Sequence, residues 1–442
     1  MKKFISLALA AVLILMLAVG CARNDPADDA GTLVFVSFWN EGEPAADFLW
    51  EVVRAFEEEY GIRVDFTPMG RDNLIAIRTA ILMGNPPDLI DQDLSEINAA
   101  FMRDETLLLP LTDLVDGPGP DGQASFRDIF PAGTLELFAQ NGLIYYVPYV
   151  LVTSGFFYNR TMFNELGIIV PTTWTEFIQM GEQLKSHGLP PLALDGTISF
   201  YNAYYFYWAV TRMLGAGYFS AAAHDATGET WNNPGFLRAA EIVHELSSSG
   251  RNFFQPGYEG SAFPAAQSDW ALGLSGAILC GTWIPVETSP LVDDDWEFGF
   301  FPFPAIEGGV GVTTDVEKYL MGWGIPRDAN NPENAKKFIR FAMQRVWAER
   351  YVELSLNMST RYDVAPPAVL ADVAVFLETA TSTHKSYDGV MSDLPGWWAN
   401  VFYPASDALV FGLITPQEFI QQIRENTIAY WDGRIELDAA IR

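Results

Sequence analysis

Between residues 33 and 91 apolar runs of two different lengths alternate, and this order constrains the fold more than any other feature of the chain. LVFVSFW (33–39) has strand length, and DFLWEVVRAFEEEYG places Phe48, Leu49, Val52, Val53 and Phe56 on one helical face before Gly61. IRVDF is again strand-like, LIAIRTAILMG reads as a helix closed by Gly84, and PDLID follows Pro86 and Pro87 as a third strand. A βαβαβ order predicts a mainly parallel sheet with helices on both faces. Ligands of such sheets bind beyond the carboxyl ends of the strands, so the loops after Trp39 and after Asp91 are the first places to look for function.

That unit uses under a quarter of 442 residues, and with 49% hydrophobic content the remainder can build at least one more core. The 56 acidic residues against 26 basic ones repel polyanions, which excludes nucleic acid as a natural partner. The N-terminus is different in kind. MKK precedes the apolar run FISLALAAVLILMLAVG and then Cys21. The run is short for a membrane span of about 20 residues. It resembles a bacterial lipoprotein signal, with Ala18 where leucine is commonest, and the resemblance implies cleavage after Gly20 and lipidation of Cys21. ARNDPADDAG then reads as a flexible tether. With Cys21 acylated, Cys280 has no disulfide partner, and its setting in GLSGAILCGTW suits a buried packing residue.

A second rhythm occupies 144–177, IYYVPYVLVTSGFFYNRTMFNELGIIVPTTWTEF: a strand-like run, a short helix, and the capping box Thr173-Trp-Thr-Glu176 opening a longer helix. Tyr145, Pro148, Tyr158, Asn159, Pro171, Thr173, Trp174, Glu176 and Phe177 resemble the corresponding run of the extracellular solute-binding proteins of ABC sugar importers, family 1. GNPPDLI, the Gly-x-Trp end of GLSGAILCGTW, FGFFPFP, and NNPENAKKFIRFAMQ with Asn331 as N-cap and Pro332 at the first helical position extend the resemblance over nearly the whole mature chain. It implies an α/β, two-domain periplasmic-binding-protein-like fold of class II type, each domain a mainly parallel sheet flanked by helices. The implied division is signal 1–20, tether 21–31, an N-terminal domain of 32–148 plus 303–364, and a C-terminal domain of 149–302 plus 365–442, with crossovers near Tyr149, Phe301 and Ala365.

The resemblance also implies a function: hinge closure on a sugar or oligosaccharide, then delivery to ABC permease subunits whose ATPase is a separate chain. Such a protein is a lipid-anchored monomer on the periplasmic or extracytoplasmic face, with no cofactor and no metal. Ligand-facing positions carried over one by one fall on Trp39, Asn40 and Glu43, on Asp91, Gln92 and Asp93, on Tyr204 and Tyr205, on Trp283, and on Trp397 and Trp398. The residues themselves agree in kind, since FYNAYYFYW (200–208) holds seven aromatics in nine positions, too many for one core-facing stripe. Flat aromatic faces beside amides and carboxylates suit pyranose rings.

Catalytic patterns are weak. GLSGA departs from a nucleophile elbow at Ala277, the four histidines lack metal-ligand spacing, DDDWE (293–297) reads as a solvated charge run, and no phosphate-binding loop occurs. Two other readings stay open: a secreted carbohydrate-active enzyme, because accidental carboxylate pairs are unavoidable among 56 acids, and a sugar-sensing receptor without transport.

Overall fold

The computed structural model describes residues 31–435 apart from Asp104 and Ser249, so the signal, most of the tether and Cys21 lie outside the described residues. The alternation is realised as β1 (Leu33–Ser37), a helix over Pro44–Tyr60, β2 (Val64–Pro68), a helix over Leu74–Leu82, and β3 (Leu89–Asp93). Phe48, Leu49, Val52, Val53 and Phe56 are buried, and Gly61 ends their helix in the left-handed region, its N–H bonding the Glu57 carbonyl. β1 lies between β2 and β3 and is parallel to both.

The rest of this larger sheet corrects the expectation of mainly parallel strands. β4 (Tyr146–Val152) leaves the sheet at the edge where β1 and β3 end, and β9 (Asp315–Gly324) returns from that edge to lie antiparallel between β3 and β4. A chain that departs and re-enters at one edge must run backwards on its return. β10 (Met358–Ser359) pairs antiparallel with β4, and β11 (Ser382–Lys385) runs parallel to the first half of β9.

A second sheet has the order β6-β7-β5-β8, from β5 (Ser154–Asn159), β6 (Leu192–Ala193), β7 (Ala277–Gly281) and β8 (Phe298–Phe301). It too is mixed, with β6 and β7 parallel and both neighbours of β5 antiparallel to it. Helices over Ser199–Leu214, Pro234–Ser247, Tyr403–Val410 and Pro416–Trp431 contribute to a large apolar core on one face. On the other face Phe157, Trp270, Cys280, Phe300 and Phe376 pack together, and burial raises the Cys280 thiol pKa.

β4 does not end at Pro148: its register with β9 shifts between Pro148 and Val150, leaving Tyr149 at a bulge, and the strand continues to Val152. Thr153 alone separates it from β5 of the second sheet. After Phe301, Phe303 and Ile306 still belong to the second lobe's core, and Ala305 bridges to Thr173. Near the third crossover, the Thr360 hydroxyl donates to the Pro148 carbonyl at 2.7 Å, whereas Phe376 packs on Phe300 of the second lobe with centroids 5.5 Å apart. Glu317 in β9 ties the hinge together by accepting from Ser154 and from Ser386 (3.1 Å), and burial pushes its pKa up to about 7.

The capping box forms as read: Thr173 Oγ1 accepts from the Glu176 N–H (3.3 Å) and Glu176 Oε2 from the Thr173 N–H (3.2 Å). Asn331 stands at its expected N-cap, but its side chain is spent elsewhere, donating to the Thr32 carbonyl (3.0 Å) and Asp88 (3.2 Å).

Candidate functional site between the lobes

The first lobe's wall is built at the carboxyl ends of β1, β2 and β3. Asp91 Oδ2 accepts from Ser37 Oγ at 2.6 Å and from the Tyr149 hydroxyl at 3.2 Å, and that hydroxyl accepts from Trp39 Nε1 at 2.8 Å. The bulge in β4 supplies this Tyr149, whose ring lies on Trp323 with centroids 4.3 Å and planes 10° apart. A buried carboxyl thus orients a half-buried indole through one tyrosine. Asp91 Oδ1 is buried without a partner, and desolvation pushes the pKa up to about 7.

Around Trp39 the loops interlock. The Arg71 guanidinium sits 4.8 Å from the Trp39 ring centre, donates to the Phe38 carbonyl (2.8 Å) and meets both oxygens of Glu43 at 2.9 and 3.1 Å. Asn40 Nδ2 donates to Glu43 Oε1 at 2.7 Å. Gly70, at φ 82°, passes so close that a Cβ there would stand 2.7 Å from Asn40 Oδ1. Deeper in, Gln92 is fully buried, donating to Asn73 Oδ1 (2.9 Å) and accepting from the Asp93 N–H (2.8 Å). Asp93 Oδ1 caps the helix over Leu94–Phe101 by accepting from the Ser95 N–H at 2.7 Å.

The opposing wall is aromatic. Trp283, half-buried, follows β7 and caps a short helix over Ile284–Thr288; a Cβ on Gly281 would strike its ring. Phe200 and Tyr201, in the first turn of the Ser199–Leu214 helix, are half-buried with centroids 6.4 and 6.5 Å from that of Trp283. Tyr319 of β9 is 6.3 Å from Trp283, and Trp283 packs against the apolar cores of both lobes. Charges also meet across the gap. Glu287, exposed but crowded by protein, has its pKa pushed up to about 7 by desolvation, with Arg71 opposing the shift and Glu43 adding to it. Tyr403 of the second lobe feels Glu96 and Asp93 of the first, though burial is the main cause of its raised pKa. Two lobes therefore face each other across a cleft with polar and aromatic sides.

The structure brings Trp39, Asn40, Glu43 and Trp283 to this cleft. Asp91, Gln92 and Asp93 lie behind its wall, at 0%, 0% and 2% exposure, as supports. Tyr204, Tyr205, Trp397 and Trp398 are instead in the second lobe's core, at 1%, 0%, 0% and 4% exposure. Tyr204 stacks on Tyr387 (5.2 Å), Tyr205 packs edge-on to Phe254, Trp397 Nε1 donates to Thr427 Oγ1 (3.0 Å), and Trp398 packs on Tyr387 and Tyr403. The aromatic run therefore presents its first two rings to the cleft while later ones are surrounded by helices. Sequence reasoning missed Arg71, Phe200, Tyr201, Glu287, Tyr319 and Tyr403. Arg71 was within reach of the rule that selected Trp39 and Asp91, since it follows β2 at the same sheet edge. Nothing local marks Glu287 or Tyr403.

A two-lobed α/β chain with its polar and aromatic groups gathered where the lobes meet defines the class of hinged ligand-capturing proteins. The model of the bacterial extracellular solute-binding protein family matches residues 42–345, and the chain belongs to that family. It is 22% identical over 356 residues to the multiple sugar-binding protein of Streptococcus mutans, covering 77% of this chain and 78% of that one. It is 22% identical over 301 residues to the diacetylchitobiose binding protein NgcE of Streptomyces coelicolor, covering 67% and 62%. A solved structure from work on xylan utilisation by Caldanaerobius polysaccharolyticus superposes with a TM-score of 0.73 at 20% identity, over 89% of this chain and 99% of that one. The first two of these relatives are binding proteins by name.

Proposed function

We propose that this chain captures a sugar or oligosaccharide by closing its two lobes and hands it to the permease of an ABC importer whose ATPase is a separate protein. The observation that carries the reading is the cleft: half-buried rings of Phe200, Tyr201, Trp283 and Tyr319 offer apolar faces, and Asn40, Glu43 and Glu287 form a polar rim. That pairing matches a pyranose, whose axial C–H faces stack on aromatics while its equatorial hydroxyls hydrogen-bond. The names of the relatives support the same ligand class. Trp39, Asn40, Glu43 and Trp283 are the proposed contacts, with Asp91, Gln92 and Asp93 as positioning residues.

Among the described residues no helix is long and apolar enough to cross a membrane. We assign attachment to a lipid on Cys21, after cleavage at Gly20; intact mass spectrometry of membrane-extracted protein should find no residue before Cys21. The binding reading is tested by thermal shift against a carbohydrate panel, since a ligand at a hundred times its Kd stabilises the fold by about 2.7 kcal/mol. At least one glycan should raise the melting temperature in that manner. Turnover of glycosides, or no response to any glycan, would overturn the reading.

A further inference from the structure

We propose that Tyr387 is a positioning residue that couples the hinge to the cleft, holding Phe200 of the second lobe's aromatic wall in step with the third crossover; this deepens the sugar-binding reading and rests on it. The stretch that carries Tyr387 is anchored to the first lobe on both sides. Before the turn, β11 runs along β9, and the Lys385 ammonium lies 4.9 Å from the ring centre of Phe138, which belongs to a first-lobe core. Past it, the short helix over Val390–Asp393 packs against the first lobe's helix over Leu94–Phe101. Between these anchors the chain dips into the second lobe. Tyr387 is fully buried there, stacked on Tyr204 and enclosed by Phe200, Tyr207 and Trp398.

The dip uses a backbone conformation that side chains rarely adopt. Tyr387, Asp388 and Gly389 follow one another in the left-handed region, at φ 51°, 53° and 82°, and only the glycine does so without steric cost. Such a turn persists where its surroundings over-determine it. Here it is clamped from both sides. Ser386 Oγ donates to Glu317 Oε2 of β9 at 3.1 Å, on the hinge side, while Asp388 accepts from the Gly217 N–H at 2.8 Å and from the Tyr207 hydroxyl at 3.4 Å, on the second lobe. Tyr387 sits between the two clamps. Its hydroxyl donates to the Phe200 carbonyl at 2.7 Å, and its ring meets that of Phe200 edge-on with centroids 5.3 Å apart. Phe200 in turn stands 6.4 Å from Trp283 and 6.3 Å from Tyr319, so a lobe rotation that moves the clamped turn reaches the rings on which a sugar would stack.

The test is a double-mutant cycle on affinity, read by titration calorimetry on the intact chain. The probe is the tightest binder of the carbohydrate panel, with raffinose, cellotriose and xylotriose among its members. Tyr387→Phe keeps the buried ring, removes only the hydroxyl, and should weaken the probe about fivefold, the size expected for one hydrogen bond. Ser386→Ala, which opens the hinge-side clamp, should weaken it by a similar factor. In a Phe200→Ala background neither substitution should weaken binding further by more than about twofold, because the ring they position is gone. A tyrosine that merely packs the core would lower the melting temperature and leave affinity alone, or change affinity equally in both backgrounds. Unchanged affinity in Tyr387→Phe, or the same loss with and without the Phe200 ring, would overturn the inference and leave the sugar-binding reading intact. Failure of every glycan in the panel to bind would overturn both.

Discussion

The two walls of the cleft hold their rings in different ways. In the first lobe, one half-buried indole, Trp39, is aimed by a hydrogen-bonded relay of Tyr149, Asp91 and Ser37 and braced by Arg71. In the second lobe, Trp283, Phe200 and Tyr201 stand in front of a core of other aromatics, with Trp397, Trp398, Tyr204 and Tyr387 packed behind. The first wall is specified by polar geometry, the second by shape. A polar relay fails when one group is removed, whereas a packed wall fails according to how deep the removed ring lies.

The sharpest way to break this comparison is to truncate rings at different depths. Trp397→Ala removes a fully buried indole and should destabilise the protein by about 3–5 kcal/mol, read from denaturant melts, with affinity of the folded protein little changed. Trp283→Ala removes a ring the ligand can reach, and should weaken glycan binding by about tenfold, close to 1.4 kcal/mol. Its effect on ligand-free melting should be far smaller than that of Trp397→Ala. If the two substitutions exchange behaviours, depth does not separate scaffold from site. Tyr149→Phe should act on the other wall. Without its hydroxyl, Trp39 Nε1 loses its acceptor, and the cost is about 1 kcal/mol in stability with a few-fold loss of affinity, seen by calorimetry.

The smallest effect concerns pH. Burial pushes the pKa values of Asp91, Asp93, Glu287 and Glu317 up to about 7, 6, 7 and 7, above those of unfolded carboxyls, so between about pH 4 and 7 these four groups hold more protons in the folded chain than in the unfolded one. Their contribution to stability is present at low pH and is lost as pH rises through these values. The melting temperature without ligand should therefore fall between pH 5 and pH 8, and Asp91→Asn should flatten that slope. A slope unaltered by the substitution would remove Asp91 from the account.

Much of the first lobe was legible because its first five elements are local: a helical stripe ending in glycine and strands bounded by Gly and Pro declare themselves within a dozen residues. The rule that ligands sit beyond parallel strand ends pointed to the loops after Trp39 and after Asp91. The antiparallel return of β9 was not legible, because it depends on where a chain of more than 150 residues comes back. The second wall was only partly legible for a related reason. In FYNAYYFYW no periodicity separates Phe200 and Tyr201 from Tyr204 and Tyr205, since helices far along the chain, over Tyr403–Val410 and Pro416–Trp431, decide which rings are covered. Trp397 and Trp398 looked like a late pair of ligand platforms for the same reason, yet both are enclosed.

The central claim is that the lobes close on a glycan between Trp39 and Trp283. Small-angle X-ray scattering of the chain without and with a saturating concentration of the tightest glycan from the thermal-shift panel tests it directly. The account expects a smaller radius of gyration with the glycan, and no such change for Trp283→Ala at the same sugar concentration if its binding is lost. An unchanged radius at proven saturation would contradict it.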